Sequence, residues 1–158
     1  MISKLKFLMI AGLFVTCIGS GALAHAEPAA GCAMLTPSQI EKVFGQPFGP
    51  PSESKAPPAY AKQSWGWNCR YRAQKRGRVR EVTFIVYEDG SQAEAKQTFD
   101  KLSAWYSPKS KPAIGDSAYI DSHSAIHIVK GKVRFYVSLD PADEKGATNL
   151  AAAIAAHI

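Results

Sequence analysis

The chain has 158 residues, a formal net charge of +6 and three cysteines, a size that accommodates one domain with a real core. It contains no Gly-x-Ser-x-Gly elbow, no phosphate-binding loop and no His-Glu-x-x-His pair. The enzyme classes that those motifs define are therefore set aside.

The first 26 residues read as a signal peptide. Lys4 and Lys6 form a positive start, and Phe7 to Val15 is an apolar run too short to anchor in a bilayer. Ala24-His25-Ala26 then supplies the small residues that precede a cleavage site, which places the mature N-terminus at Glu27. Gly19 to Gly21 ends the apolar run and argues against a retained membrane helix. Phe14 and Thr16 fit a lipid-attachment box at Cys17 poorly. Removing residues 1–26 leaves 132 of the 158, and loss of Lys4 and Lys6 lowers the charge from +6 to +4. It also leaves two cysteines, Cys32 and Cys69. An even pair in an oxidising compartment predicts a disulfide, and closing that loop would contribute about 3–4 kcal/mol.

In chain order, the first predicted element is a helix. Thr36 is its N-cap, Pro37 its first residue, and Gln39 completes a capping box. Leu35 and Ile40 form a hydrophobic staple, Ile40, Val43 and Phe44 the buried stripe, and Gly45 the stop. Residues 46–63 hold Pro50-Pro51 and Pro57-Pro58, which predict an extended surface connection with little regular structure. A strand opens at Trp65 and carries Cys69, Tyr71 and Ala73 on one face. Arg78 to Tyr87 returns as a second strand with Val82, Phe84 and Val86 inward and a register break near Arg80-Glu81. Ile85 and Tyr87 make its other face apolar too.

Ser91 and Glu94 repeat the capping spacing before Ala95, Phe99, Leu102 and Tyr106, which recur at helical intervals. Three strands follow, at Ala118 to Asp121, Ile126 to Val129 and Val133 to Leu139. The last of them alternates cleanly. Leu150 to Ile158 is an Ala-rich terminal helix. The expected fold is α+β, in the order α-β-β-α-β-β-β-α. An antiparallel sheet of about five strands would carry the helices on one face, forming a single disulfide-bonded domain over residues 27–158.

Several short motifs carry a resemblance. Cys32-Ala33-Met34-Leu35-Thr36 leads into the first helix, Asn68-Cys69-Arg70-Tyr71 opens a strand, and Ile114-Gly115-Asp116-Ser117-Ala118-Tyr119 precedes the last strands. Together they resemble a broad group of small exported bacterial proteins of unknown function, of periplasmic or lipoprotein type. The resemblance implies a paired first and second cysteine and an α+β sandwich, and it brings no catalytic residues.

Two clusters are candidate binding residues. Arg70, Arg72, Lys75, Arg76, Arg78 and Arg80 crowd one hairpin with no acid before Glu81. Such a cluster can meet anions, or it can serve as a solvated edge that resists strand pairing. Tyr60, Trp65 and Trp67 could stack on a sugar or a Pro-rich peptide, or pack over the disulfide. Asp121, His123 and His127 straddle a turn and a strand. They lack the fourth ligand and supporting shell of a zinc site, so they read as surface histidines, with no metal and no cofactor expected.

The functional expectation is a periplasmic or secreted, non-enzymatic binding domain with no transmembrane segment after cleavage. Its partner would be an envelope protein, a polysaccharide or an anionic lipid surface, and nucleic acid is not an expected partner of an exported chain. A small-ligand carrier with an apolar cleft between sheet and helices is the alternative, followed by an unrecognised enzyme. Mass spectrometry of the exported protein should find Glu27 at its N-terminus and no lipid; a lipidated Cys17 would contradict the leader reading.

Overall fold

The computed structural model describes residues 31–57 and 66–158. The leader, Cys17, Tyr60 and Trp65 lie outside the described residues. A 3-10 turn, Gly31–Met34, leads into helix α1, Pro37–Phe44. The Gln39 amide donates to the Thr36 side chain and the Thr36 amide donates to the Gln39 side chain, completing the capping box. Gly45 ends the helix in the left-handed region at φ 66°.

Strand β1, Ser52–Ala56, then forms where an irregular connection was expected. Ser52, Glu53, Ser54 and Lys55 are all exposed, so no apolar alternation marks the strand in the sequence. Its backbone pairs antiparallel with β2, Gly66–Arg72, and polar side chains with a lysine suit an outer strand. Strand β3, Glu81–Glu88, helix α2, Gln92–Tyr106, and strands β4, Ser117–Ile120, β5, Ile126–Lys130, and β6, Val133–Asp140, follow. Helix α3, Glu144–Ala155, closes the fold. One antiparallel sheet of six strands results, in the order β1-β2-β3-β6-β5-β4, so the class is α+β with one strand more than expected.

Cys69, Tyr71, Val82, Phe84, Phe135, Val137, Ile126 and Ile128 fill one face, against Ile40 of α1 and Leu150 and Ile154 of α3. Each fully buried apolar side chain of this size contributes about 1.5–3 kcal/mol. Val79 is as buried as Val82 three residues on. Simple alternation cannot place both inward, so the strand proper starts at Glu81 rather than at Arg78.

Helix α2 departs from the one-face arrangement. Ala95 and Phe99 pack on Tyr119 and Val129, residues that alternate with the core-facing Ala118, Ile120 and Ile128. It therefore lies on the opposite side of the sheet. The cause is that β4 and β5 are apolar on both faces, and a second apolar face must also be covered.

The expected disulfide joins Cys32 to Cys69, with Cα atoms 5.6 Å apart. Tyr71, two residues further along β2, reinforces the same junction. Its buried hydroxyl lies 3.0 Å from the Cys32 carbonyl and also reaches the Leu35 carbonyl. Burial pushes its pKa above the ordinary tyrosine value, with the Glu53 charge adding to the shift, so the hydroxyl remains a donor. Replacing Tyr71 by Phe should lower stability by about 1–3 kcal/mol, the cost of leaving buried carbonyls without a donor. A urea unfolding midpoint equal to that of the parent would contradict this role.

Candidate functional site

Alternation on the strands builds a second surface opposite the core. Its central row crosses five strands in register: Asn68 on β2, Ile85 on β3, Tyr136 on β6, His127 on β5 and Tyr119 on β4. Beside it runs the row Arg70, Thr83, Ser138, and on the other side Tyr87, Arg134, Val129. Helix α2 lies over β5 and β6 and over Tyr119 of β4, presenting Phe99, Leu102 and Tyr106. The rest stays open as a groove of about 530 Å³, floored by β2, β3 and β6 and walled by α2.

The wall end of the groove is aromatic. The His127 ring stacks parallel on Tyr119 at 4.4 Å, with Tyr106 at 5.2 Å and Tyr136 at 4.9 Å. Its Nε2–H donates to Asp121 Oδ2 at 3.1 Å, and Asp121 Oδ1 accepts the amides of His123 and Ala125 at 2.9 and 3.0 Å. Burial lowers the His127 pKa below 6.5, opposed by the bond to and charge of Asp121. Burial raises that of Asp121, but the bonds from His127, Ala125 and His123 outweigh it and the net shift is downward. The pair is thus a neutral imidazole donating to a carboxylate that also ties down the β4–β5 turn.

This corrects the reading of His127 as a surface residue. It does face away from Ile126 and Ile128, as alternation predicts, but α2 covers that side and its side chain is only 12% exposed. His123 is exposed in the turn. Among the described residues no group of three His, Cys, Asp or Glu is placed to hold a metal.

Arg134 anchors the opposite rim. Its guanidinium donates from Nε to Asp89 Oδ2 at 2.6 Å and from Nη2 to Asp89 Oδ1 at 3.1 Å, with both side chains 5% exposed. It also lies 4.8 Å over the Tyr87 ring. Gly66 lets that ring lie flat, because a Cβ there would come within 2.6 Å of it and of the Val86 carbonyl. The bidentate pair fixes β6 to the turn from which α2 starts.

The six basic hairpin residues separate. Arg72 pairs with Glu81 at 3.3 Å, Arg78 with Asp143 at 2.7 Å and Arg80 with Asp140 at 2.9 Å. Lys75 and Arg76 are exposed in the connecting loop. Only Arg70 is brought into the groove with the row just described, and it has no acidic partner among the described residues. Trp67 points to the other side, where Lys55 Nζ sits 5.6 Å over its ring, and it is 40% exposed. Asn68, Thr83, Tyr106, Tyr136 and Ser138 were not among the candidate site residues read from the sequence. The signals there are the apolar second face of the strands, at Ile85 and Tyr87, and the helical spacing that includes Tyr106.

Comparison with protein families, with curated proteins and with solved structures finds no match to this chain. Among the described residues no helix is long and apolar enough to cross a membrane.

Both shifts in the His127–Asp121 pair have the same sign, so the unfolded chain binds more protons than the folded one as pH falls. Stability is complete above the ordinary histidine value of 6.5 and is lost as pH drops through the folded value. A second loss follows below 3.8 as Asp121 protonates. The urea midpoint of the protein should fall between pH 7 and pH 5, and His127→Gln should flatten that slope. An equal slope in parent and variant would show that His127 is not held neutral by the fold.

Proposed function

We propose that the mature chain is an exported, non-enzymatic binding domain that holds an anionic envelope or extracellular component in the groove beside α2. The supporting observation is the charge balance of this face. Glu81 is met by Arg72 and Asp89 by Arg134, while Asp121 is held by His127 and two amides. Arg70 is left with a full positive charge at the groove mouth, facing hydroxyl and amide side chains. A charge-assisted bond from such a group contributes about 1.5–3 kcal/mol when its partner is bound.

The groove is open along one side, which suits a segment of a larger component better than a molecule enclosed for transport. The His127–Asp121 pair supports a structural part rather than catalysis: one carboxylate oxygen is held by the turn amides and the other by His127, and tyrosines pack around the imidazole.

Polygalacturonate, dextran sulfate and phosphatidylglycerol vesicles serve as probes of anion binding at low and physiological salt. At least one should bind, more weakly as salt rises, because screening acts over about 8 Å at physiological ionic strength. Arg70→Ala should weaken it about tenfold or more. The joint replacement of Arg72, Lys75, Arg76 and Arg78 by Ser should cost less than Arg70→Ala alone, and exposed ion pairs limit its effect on stability to about 1 kcal/mol each. The opposite ranking would move the site to the hairpin.

A further inference from the structure

The class of ligand follows from the surface beside Arg70, resting on the reading of the groove as an anion site. The floor is amphipathic by rows. Arg70, Thr83 and Ser138 form one polar row across β2, β3 and β6. The next row along the strands carries Ile85 and Tyr136, and the one after it Tyr87. Leu102 and Tyr106 face them from α2. Ile85, Tyr87, Leu102 and Tyr136 are half-buried and Tyr106 is 43% exposed, so this apolar surface is open to a ligand. Successive rows lie about 7 Å apart, which puts apolar surface within reach of a molecule whose acid is held by Arg70.

The polar groups of those further rows are largely taken. Arg134 is held by Asp89, the His127 imidazole by Asp121, and Asp121 by two amides as well. The Tyr87 hydroxyl donates to the Pro57 carbonyl, and Asn68 ends its row with Oδ1 buried. The floor is the face of inner strands, so its backbone groups are spent in the ladders. A saccharide or an extended peptide laid there would exchange hydration for few partners, and each unsatisfied group costs free energy. A bare phosphate or sulfate would use Arg70 and leave the apolar rows wet. A hydrocarbon chain needs no partner and gains from leaving water.

We infer that the groove binds an anionic amphiphile: one hydrocarbon chain of a lipid whose acidic head lies on Arg70. The chain lies over Ile85 and Tyr136, against Leu102 and Tyr106. The floor is recessed beside α2 and takes a single chain rather than a bilayer surface, while the open side leaves the rest of the lipid outside. The other large depression, beside Trp67 and the end of α3, offers such a molecule no charged end. Its Lys132 is taken by Glu88 and its Lys130 by the Ala155 carbonyl.

Isothermal titration of the protein with dodecyl phosphate below its micelle threshold tests the inference, with circular dichroism checking the fold throughout. Butyl phosphate should bind about a hundredfold more weakly, because each buried methylene contributes. Dodecyl maltoside, with the same chain and an uncharged head, should bind about tenfold more weakly. Arg70→Ala should bring dodecyl phosphate to the level of dodecyl maltoside and leave the maltoside unchanged. Ile85→Thr and Leu102→Gln should each weaken both dodecyl ligands about tenfold. Leu102, on the helical wall, serves should the Ile85 variant unfold. Dodecyl phosphate binding equal in the parent and in every folded variant would overturn the inference. Phosphatidylglycerol vesicles bound without dispersed dodecyl phosphate would overturn it too, since a recessed groove does not meet a bilayer surface. Arg70-dependent binding of trigalacturonate or butyl phosphate as tight as that of dodecyl phosphate would overturn it while leaving the anion groove standing. Failure of every anion would remove both.

Discussion

The pairing of β3 with β6, eight residues in register at the centre of the sheet, is the constraint on which the other elements depend. It joins the two halves of the chain, because β1 and β2 extend the sheet from β3 and β5 and β4 extend it from β6. Both strands are apolar inward, at Val82, Phe84 and Val86 and at Phe135, Val137 and Leu139. Both also carry large side chains outward, at Ile85, Tyr87, Arg134 and Tyr136. Two helices cover the first face and one helix covers part of the second. What α2 leaves uncovered is the groove.

The placement of α2 follows from polar contacts as much as from apolar ones. Asp89 lies two residues before the helix cap at Ser91, and its buried bond to Arg134 fixes where the helix begins. Burying two charges carries a large desolvation cost, which bidentate geometry and the nearby Tyr87 ring offset only in part. Losing one partner would leave the other charge stranded, at about 3–5 kcal/mol. The groove rim is therefore set by an interaction that tolerates little displacement, and the aromatic packing around His127 holds the other end.

Much of this architecture is legible in the residues themselves. The Thr36–Gln39 capping box, the Gly45 stop and the alternation of Val133 to Leu139 are local signals, and each forms the element it specifies. Strand β1 is not legible, because Ser-Glu-Ser-Lys has neither apolar alternation nor β-branched residues and is a strand only through its neighbour's backbone. The side of the sheet on which α2 packs is a long-range choice, hinted at only by Ile85, Tyr87 and Tyr119. That one choice decides the environment of His127. It also turns Arg70 from one charge among six on a hairpin into the one at a groove mouth. Charge clustering in sequence says nothing of where the compensating acids stand, and Asp140 and Asp143 are some sixty residues away from Arg80 and Arg78.

The two margins of the sheet have a consequence of their own. Strand β1 is five residues long, polar and bounded in sequence by Pro50-Pro51 and Pro57-Pro58, and proline cannot donate to a growing ladder. At the other margin, Ser110 already bridges to Ile120 of β4. A foreign extended chain thus finds at most a few free backbone groups on one side and a partly occupied row on the other. Such a sheet is a poor template for adding strands from another polypeptide at either rim.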